Sequence, residues 1–164
     1  MNIRLTERGD IGRLMEIFAI ARDYMRQTGN PNQWAASYPS EEQLVADIER
    51  HESHVCEVDG QIVATFVLRT EKDPTYDVIY DGAWPNDRPY ATIHRIASSG
   101  EVRGIFAAVI AYTLTSHDEI RIDTHRDNRV MQHLVEQAGF SYCGIIHCWN
   151  GDERLAYQLS RKKP

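Results

Sequence analysis

The sequence has few cysteines, no long apolar run and no basic block before its last residues. Its three cysteines, Cys56, Cys143 and Cys148, follow no metal-ligand spacing and are too few for a disulfide scaffold. The N-terminal residues lack the apolar segment of a signal peptide, and no run reaches the ~18 apolar residues of a membrane span. These absences predict a cytoplasmic protein without structural disulfides and without a membrane anchor.

The charge balance lacks the signature of a nucleic-acid-binding protein. The net charge is −6, and basic residues cluster only at 161–163. An acidic surface favours cationic partners such as amines, although mild acidity is common among soluble proteins. A chain of 164 residues that is 42% hydrophobic and 26% charged fits one globular domain, 1–164.

Local patterns predict a strand, two helices and a strand meander, followed by a strand, a helix, a strand, a helix and two closing strands. Apolar residues at every second position predict strands, and those at every third or fourth position predict helices. Asp59-Gly60 and Asn150-Gly151 are strong hairpin signals, and Ser40 to Gln43 fits a helix capping box. Strands are predicted at 2–6, 55–58, 61–69, 77–81, 90–97, 120–123, 142–147 and 154–159, and helices at 10–27, 41–50 and 102–115.

The segment from Ile120 to Phe140 combines a strand, a turn and a last helix. Asp127 and Asn128 are good N-cap types, and Gly139 suits the left-handed position that ends a helix. A helix that starts just beyond the carboxyl end of a strand often holds a ligand, although many structural turns share this pattern. The element order predicts an α/β or α+β fold with a mixed, mostly antiparallel sheet and helices on both faces.

Two motifs in this half of the chain resemble those of a known family. Arg103 to Ala108 approaches the pattern Arg/Gln-x-x-Gly-x-Gly/Ala, with Phe106 in place of the middle glycine. Asn128 and Gly139-Phe140 fit Asn-x-x-Ala-x-x-x-Tyr-x-x-x-Gly-Phe. With these residues the chain resembles the GCN5-related N-acetyltransferase (GNAT) superfamily, whose members transfer an acetyl group from acetyl-CoA to an amine.

The resemblance implies an N-acetyltransferase that uses acetyl-CoA and a primary amine of a small molecule or peptide. It also implies that the strand ends before Arg103 and before Asn128 separate to admit the thioester. The alternative is an inactive acyl-CoA-binding regulatory or interaction protein. The implied cofactor contacts are Ile96, Ala97, Ser98, Arg103, Gly104, Ile105, Phe106, Ala107, Ala108 and Asn128. Because Phe106 lies on the apolar stripe of its helix, we expect its ring to point inward.

The candidate catalytic residues are histidines and a tyrosine. His94 is the candidate base, because an imidazole titrates near neutrality and the attacking amine must lose a proton. A structural histidine bonded to a neighbour such as Asp123 is the alternative. Val135 occupies the position of the family's tyrosine acid and has no proton to give. The candidate replacements are His133, Tyr142, His125 and Cys143, or solvent.

The candidate acceptor pocket combines aromatic rings with a carboxylate. Aromatic faces and an acidic group attract a cationic amine, although the same rings could form a small hydrophobic cluster that closes the loops. The residues concerned are Trp34, Tyr38, Asp81, Trp84 and Tyr90. The histidines show no metal-ligand spacing, so no metal is predicted. The closing strands and exposed aromatic residues are compatible with a homodimer.

Overall fold

The structure is a computed structural model that describes residues 1–162. Within these residues the chain forms one sheet of seven strands and four α-helices. The strands are β1 (Asn2–Leu5), β2 (Ser53–Val58), β3 (Gln61–Arg69), β4 (Ala91–Ser98), β5 (Glu119–Thr124), β6 (Ser141–His147) and β7 (Glu153–Ser160). The helices are α1 (Ile11–Gln27), α2 (Glu41–Glu49), α3 (Ile105–Leu114) and α4 (Arg129–Gln137).

The strands lie in the order β1-β2-β3-β4-β5-β7-β6. Every neighbouring pair is antiparallel except β4 and β5, which are parallel. The parallel step is where the chain crosses over through α3, because parallel neighbours cannot be joined by a tight turn. The predicted mixed, mostly antiparallel sheet is confirmed.

Helices cover both faces of the sheet, as predicted. Adjacent residues of β2 show the alternation: Val55 packs with α1 and α2, whereas Cys56 packs with α3 and α4. Phe18 and Leu44 lie in the first layer, and Phe106 lies in the second. Two separate apolar layers therefore sandwich the central strands.

The helix ends follow the local chemistry of the sequence. Ser40 Oγ accepts from the Gln43 amide at 3.2 Å, and Gln43 Oε1 accepts from the Ser40 amide at 3.1 Å, which forms the predicted capping box. Asn128 Oδ1 caps α4 by accepting from the Met131 amide at 3.0 Å. Gly139 follows α4 with φ of +90°, the left-handed conformation predicted for it.

Two sequence predictions about secondary structure were wrong. The segment 77–81 is no strand: a 3-10 turn, Pro74–Tyr76, precedes it, and only Tyr80 makes an isolated bridge, to Ile145. Helix α3 begins at Ile105 rather than at residue 102, because Gly104 has φ of +80°. A left-handed residue cannot continue a right-handed helix, so it fixes the helix start.

A buried imidazole links stability to pH. His54 is 6% exposed, stacks on Phe66 at 5.0 Å between ring centroids and faces the edge of Tyr112. Burial lowers the pKa of His54 below its ordinary value, and the hydrogen bond to the Glu52 carbonyl opposes this only in part. The unfolded chain therefore binds a proton first as the pH falls, and folding loses stability below about pH 6.5.

We predict that His54→Phe weakens this pH dependence. Phenylalanine keeps the ring stack, and the Glu52 carbonyl still accepts from the Leu68 amide at 2.8 Å. Urea unfolding at about pH 7.5 and about pH 5.5 measures the free energy of unfolding. The variant should lose less of it than the wild type over this interval, whereas the exposed-site control His133→Gln should not. Equal losses in wild type and His54→Phe would contradict the prediction.

Candidate active site

The parallel pairing of β4 with β5 is short and leaves an opening in the sheet. Two residue pairs join the strands, Ala91–Ile120 and Thr92–Arg121. Beyond them β4 continues to Ser98 and β5 to Thr124 without pairing to each other. Their facing backbone N–H and C=O groups are therefore available to another partner. The predicted separation of the two strand ends is confirmed.

A bulge in β4 lies at this opening. The register with β3 shifts between Thr65 and Val67, so that β4 contains one extra residue. Arg95 has φ of +47° there. Its guanidinium donates to both carboxylate oxygens of the buried Asp47 on α2, at 2.9 and 2.7 Å. This bidentate ion pair fixes the irregular strand against the helix layer.

A cavity of about 670 Å³ lies beside the opening. Its walls come from β4, β5, α2, the linker between α1 and α2, and the β6–β7 hairpin. The predicted site residues among its lining are Trp34, Tyr38, His94, Ile96 and Asn128. The structure thus brings one candidate base, two candidate substrate residues and two candidate cofactor residues together.

His94 forms a dyad with Asp73 in this cavity. His94 Nε2 lies 2.9 Å from Asp73 Oδ2, and Thr75 donates to Asp73 Oδ1 from its amide and its hydroxyl. Burial alone would raise the pKa of Asp73, but the hydrogen bonds from His94 and Thr75 outweigh it and lower the pKa to about 2. The carboxylate stays ionised and accepts from Nε2, so a neutral His94 carries its lone pair on Nδ1.

Asp123 on β5 borders the same cavity and is not the partner of His94. The hydroxyl of the buried Tyr76 donates to Asp123 Oδ2 at 2.6 Å. Burial and the nearby carboxylate raise the pKa of Tyr76 well above its ordinary value, so the phenol stays neutral. Tyr76 therefore donates a hydrogen bond to Asp123 without bringing a positive charge to it.

Trp34 and Tyr38 form an aromatic wall of the cavity. The Trp34 ring lies between Phe18 and Tyr38, with centroid distances of 5.8 and 5.6 Å. The Tyr38 hydroxyl accepts from Arg95 at 3.0 Å. Trp34 also packs on the α1–α2 layer, so it combines core packing with a position beside the cavity.

The other predicted substrate residues do not line this cavity. Trp84 and Tyr90 clamp the Arg121 guanidinium, which lies 4.0 Å from each ring centroid. The Tyr90 hydroxyl also accepts from the Asp73 amide at 3.1 Å. Asp81 is exposed in a left-handed turn. The positions of these three residues therefore do not support the predicted contact with a substrate.

None of the predicted proton donors lines this cavity either. His133 is exposed on α4, and Tyr142 is 53% exposed on β6 with its ring edge against Tyr157. Cys143 is buried, which raises its pKa, and His125 borders a second, smaller cavity. Val135 is fully buried in the α3–α4 layer. The catalytic roles of His133 and Tyr142 stay predictions without geometric support.

The loop from β4 to α3 carries the predicted phosphate contacts. Ala97 and Ser98 end β4, and Gly100 and Gly104 have φ of +81° and +80° with nothing within 4 Å of a built Cβ. The first-turn amides of α3, from Ile105 to Ala107, have no acceptor within the helix. Arg103 is exposed beside them. Free amides, open space and a cation fit a pyrophosphate at this helix start.

Phe106 does not obstruct this loop. Its side chain is buried, and its ring centroid lies 6.3 Å from that of Phe140 within the α3–α4 core. The predicted inward orientation is confirmed. Ala107 is exposed and Ala108 is half-buried on the same turn.

Asn128 cross-links two parts of the site. Besides capping α4 through Oδ1, it donates from Nδ2 to Gln33 Oε1 at 2.9 Å. Asn30 donates to the same Gln33 oxygen at 2.9 Å. The linker between α1 and α2 is thereby tied to the start of α4.

Sequence reasoning missed several residues of the cavity. Asp73 could have been noticed only as a turn-forming Asp-Pro-Thr, and nothing in the sequence links it to His94. Cys148 lies in the lining, but burial raises the pKa of its thiol to about 11. The remaining missed residues that carry the arguments here are Gln33, Asp47 and Arg154, whereas Asp123 was named from the sequence only as a structural partner of His94.

The fold is that of solved acetyltransferases. A GNAT-family acetyltransferase from Streptococcus agalactiae 2603 is 32% identical, with a TM-score of 0.87 over 99% of this chain and 96% of that chain. A putative acetyltransferase from Staphylococcus aureus Mu50 is 24% identical, with a TM-score of 0.70 over 99% of this chain and 100% of that chain.

A further similar structure is an aminoglycoside acetyltransferase in complex with coenzyme A and kanamycin. It is 16% identical, with a TM-score of 0.67 over 98% of this chain and 94% of that chain. Comparison with protein-family models gives no match, and comparison with curated proteins gives none either.

The protein is therefore an acyltransferase by fold. The chain belongs to the GNAT family of acetyltransferases, as its 32% identity to a member over nearly its whole length shows. In residues 1–162 no helix is long and apolar enough to cross a membrane. The same residues contain no group of three or more side chains arranged to hold a metal ion.

We predict that restoring the family's glycine by Phe106→Gly destabilises the protein. Removing a buried aromatic ring costs about 3–5 kcal/mol, and a helical glycine adds about 1 kcal/mol. The matched control Ala107→Gly, on the exposed face of the same turn, should show only the backbone effect of about 1 kcal/mol. Urea unfolding measures both variants. Similar losses in the two would contradict the inward packing of Phe106.

Proposed function

We propose that residues 1–164 form a single domain that transfers the acetyl group of acetyl-CoA to a primary amine of a small molecule or peptide in the cytoplasm. The observation that carries this proposal is the His94–Asp73 dyad, which faces the cavity at the point where β4 and β5 separate. A base, a gap between two strands and a helix start free to bind phosphate lie around one opening. This combination suits direct transfer within a ternary complex.

The implied binding mode of acetyl-CoA follows the backbone. The unpaired edge of β4 near Ile96 would pair with the pantetheine arm, and the amides at the start of α3 would hold the pyrophosphate beside Arg103. The open space at Gly100 and Gly104 fits this role, because no side chain fills the approach. The bound thioester supplies the activated acetyl group.

His94 removes the proton that blocks the amine. The nitrogen lone pair then attacks the thioester carbonyl and a C–N bond forms. The C–S bond breaks, the nitrogen loses its second proton to solvent, and the thiolate takes a proton from solvent. Asp73 acts as a positioning residue, because its hydrogen bond fixes the imidazole tautomer and stabilises the protonated ring. Solvent is the donor in this scheme because Val135 has no proton to give.

A second candidate function is a binding protein without turnover. The observation that favours it is the buried Val135 at the position of the family's tyrosine, together with the absence of the four predicted donors from the lining of the larger cavity in the described residues. Both candidates require acyl-CoA binding. Only the transferase turns over acetyl-CoA, so a measurement of turnover distinguishes the two candidates.

We predict that acetyl-CoA raises the melting temperature and that the protein releases CoA thiol when an amine is supplied. A ligand that binds only the folded state stabilises it by mass action, so a thermal shift reports binding. A thiol-release screen against amino acids, peptides, polyamines and aminoglycosides reports turnover. No shift at millimolar acetyl-CoA would contradict both candidates, and a shift with a silent screen would leave only the binding protein.

We predict that His94→Ala lowers the transfer rate mainly below the pKa of the amine. Above that pKa the amine is already neutral and needs no base. Asp73→Asn should lower the rate in the same pH range by a smaller factor, because the imidazole remains but loses its orientation. Initial rates between pH 6 and pH 10 measure the profiles. The exposed His147→Ala is the matched control, and an unchanged profile in His94→Ala would remove His94 as the base.

A further inference from the structure

Most charged side chains around the cavity are neutralised within the protein. Arg95 pairs with Asp47 at 2.7 Å, and Arg69 pairs with Glu52 at 3.4 Å. His94 is hydrogen-bonded to Asp73 through Nε2. Arg50 stands exposed at the rim, where water solvates its charge. These groups therefore contribute little net charge to the interior of the cavity.

Two opposite charges of the lining have no ionic partner. Arg154 is 7% exposed, and its guanidinium donates to the backbone carbonyls of Glu153 at 3.0 Å and Gln33 at 3.3 Å. Asp123 accepts from the neutral Tyr76 hydroxyl. Neither residue belongs to an ion pair within 4 Å in residues 1–162. A buried charge without a counter-charge is costly, so a ligand that brings one gains affinity.

These two charges lie on one face of the sheet. Asp123 on β5 is opposite Ala156 on β7, and Arg154 is two residues from Ala156 on the same strand. Side chains two residues apart in a strand point to the same face, and diagonal neighbours of this kind are about 7–8 Å apart. Asp123 and Arg154 are thus close enough to hold two groups of one small molecule.

His94 lies beside this pair. The last β4–β5 pair joins Thr92 to Arg121, and His94 and Asp123 each follow two residues later on their separating strands. Both project to the face that carries Thr92 and Arg121, and both line the cavity. An ammonium group held by Asp123 would therefore lie beside the proposed base.

We propose that the acceptor is an amino acid or a similar zwitterion, whose ammonium group binds Asp123 and whose carboxylate binds Arg154. This inference rests on the proposed function, because it names the substrate class of that transfer. Arginine matches a carboxylate through parallel N–H donors, and its burial strengthens the interaction. A polyamine is disfavoured, because its second cation would lie against Arg154.

Matched acceptors test the inference in the wild-type protein. The series comprises the proteinogenic amino acids beside their amides, and 4-aminobutyrate beside n-butylamine and putrescine. At saturating acetyl-CoA, and after correction for the fraction of neutral amine, the best carboxylate acceptor should exceed its uncharged partner at least about tenfold in kcat/KM. Equal or greater rates with the amides, n-butylamine or putrescine would overturn the inference while supporting the proposed transfer.

Variants of Arg154 assign the effect to this side chain. Arg154→Met should raise KM for the preferred carboxylate acceptor at least about tenfold and change kcat less, and it should change kcat/KM for the matched amide less than about threefold. Arg154→Lys should recover part of the loss, because it keeps the charge without the planar fork. Arg161→Met, an exposed site near the far end of β7, is the control. Equal losses for acid and amide would contradict a role in carboxylate binding.

Calorimetric binding separates this inference from the proposed function. The preferred amino acid should bind the CoA-loaded wild type, and Arg154→Met or, if that variant does not fold, Arg154→Lys should bind it at least about threefold more weakly. Binding without any transfer would contradict the proposed activity and support the acceptor class. Failure of every amino acid to bind would overturn the acceptor class, whatever amine is acetylated.

Discussion

The separation of β4 from β5 after two residue pairs is the constraint on which the rest of the site depends. A parallel pair that continued to Ser98 would use the backbone groups that now face the opening, and the cavity would close. The ion pair between Arg95 and Asp47 holds the separated strand, because it anchors the left-handed residue of the bulge to α2. An irregularity in one strand is thus maintained by a helix on one face of the sheet.

Charge is distributed around the opening in a consistent way. Asp73 is ionised and is held in place by two hydrogen bonds from Thr75. Its hydrogen bond with Nε2 therefore orients the imidazole of His94. Tyr76 stays neutral, so its hydrogen bond supplies no counter-charge to Asp123. The electrostatic role of Asp73, Tyr76 and Asp123 at the opening thus depends on the hydrogen-bond partner of each residue.

Local chemistry could be predicted from the sequence, whereas distant pairings could not. The turns at Asp59-Gly60 and Asn150-Gly151, the capping box at Ser40 and the Asn128 cap depend on neighbouring residues, and all are present. The partners of His94 and Arg95 lie 21 and 48 residues away along the chain, so no spacing rule indicates them. The false strand at 77–81 has the same origin: the segment contains a short apolar run, but Asp73 and Pro74 turn the chain, and only Tyr80 reaches a neighbouring strand.

Gln33 connects the two places at which acetyl-CoA and the acceptor are proposed to bind. Its side-chain oxygen holds Asn30 and Asn128, and its backbone carbonyl accepts from Arg154. One residue of an irregular linker therefore contacts both the α4 cap, near the expected thioester, and the guanidinium on the acceptor side. A ligand that draws Arg154 away from this carbonyl alters the support of the α4 cap, and by thermodynamic reciprocity a ligand at the cap alters the affinity at Arg154. Gln33 is thus a support that the two proposed binding sites share.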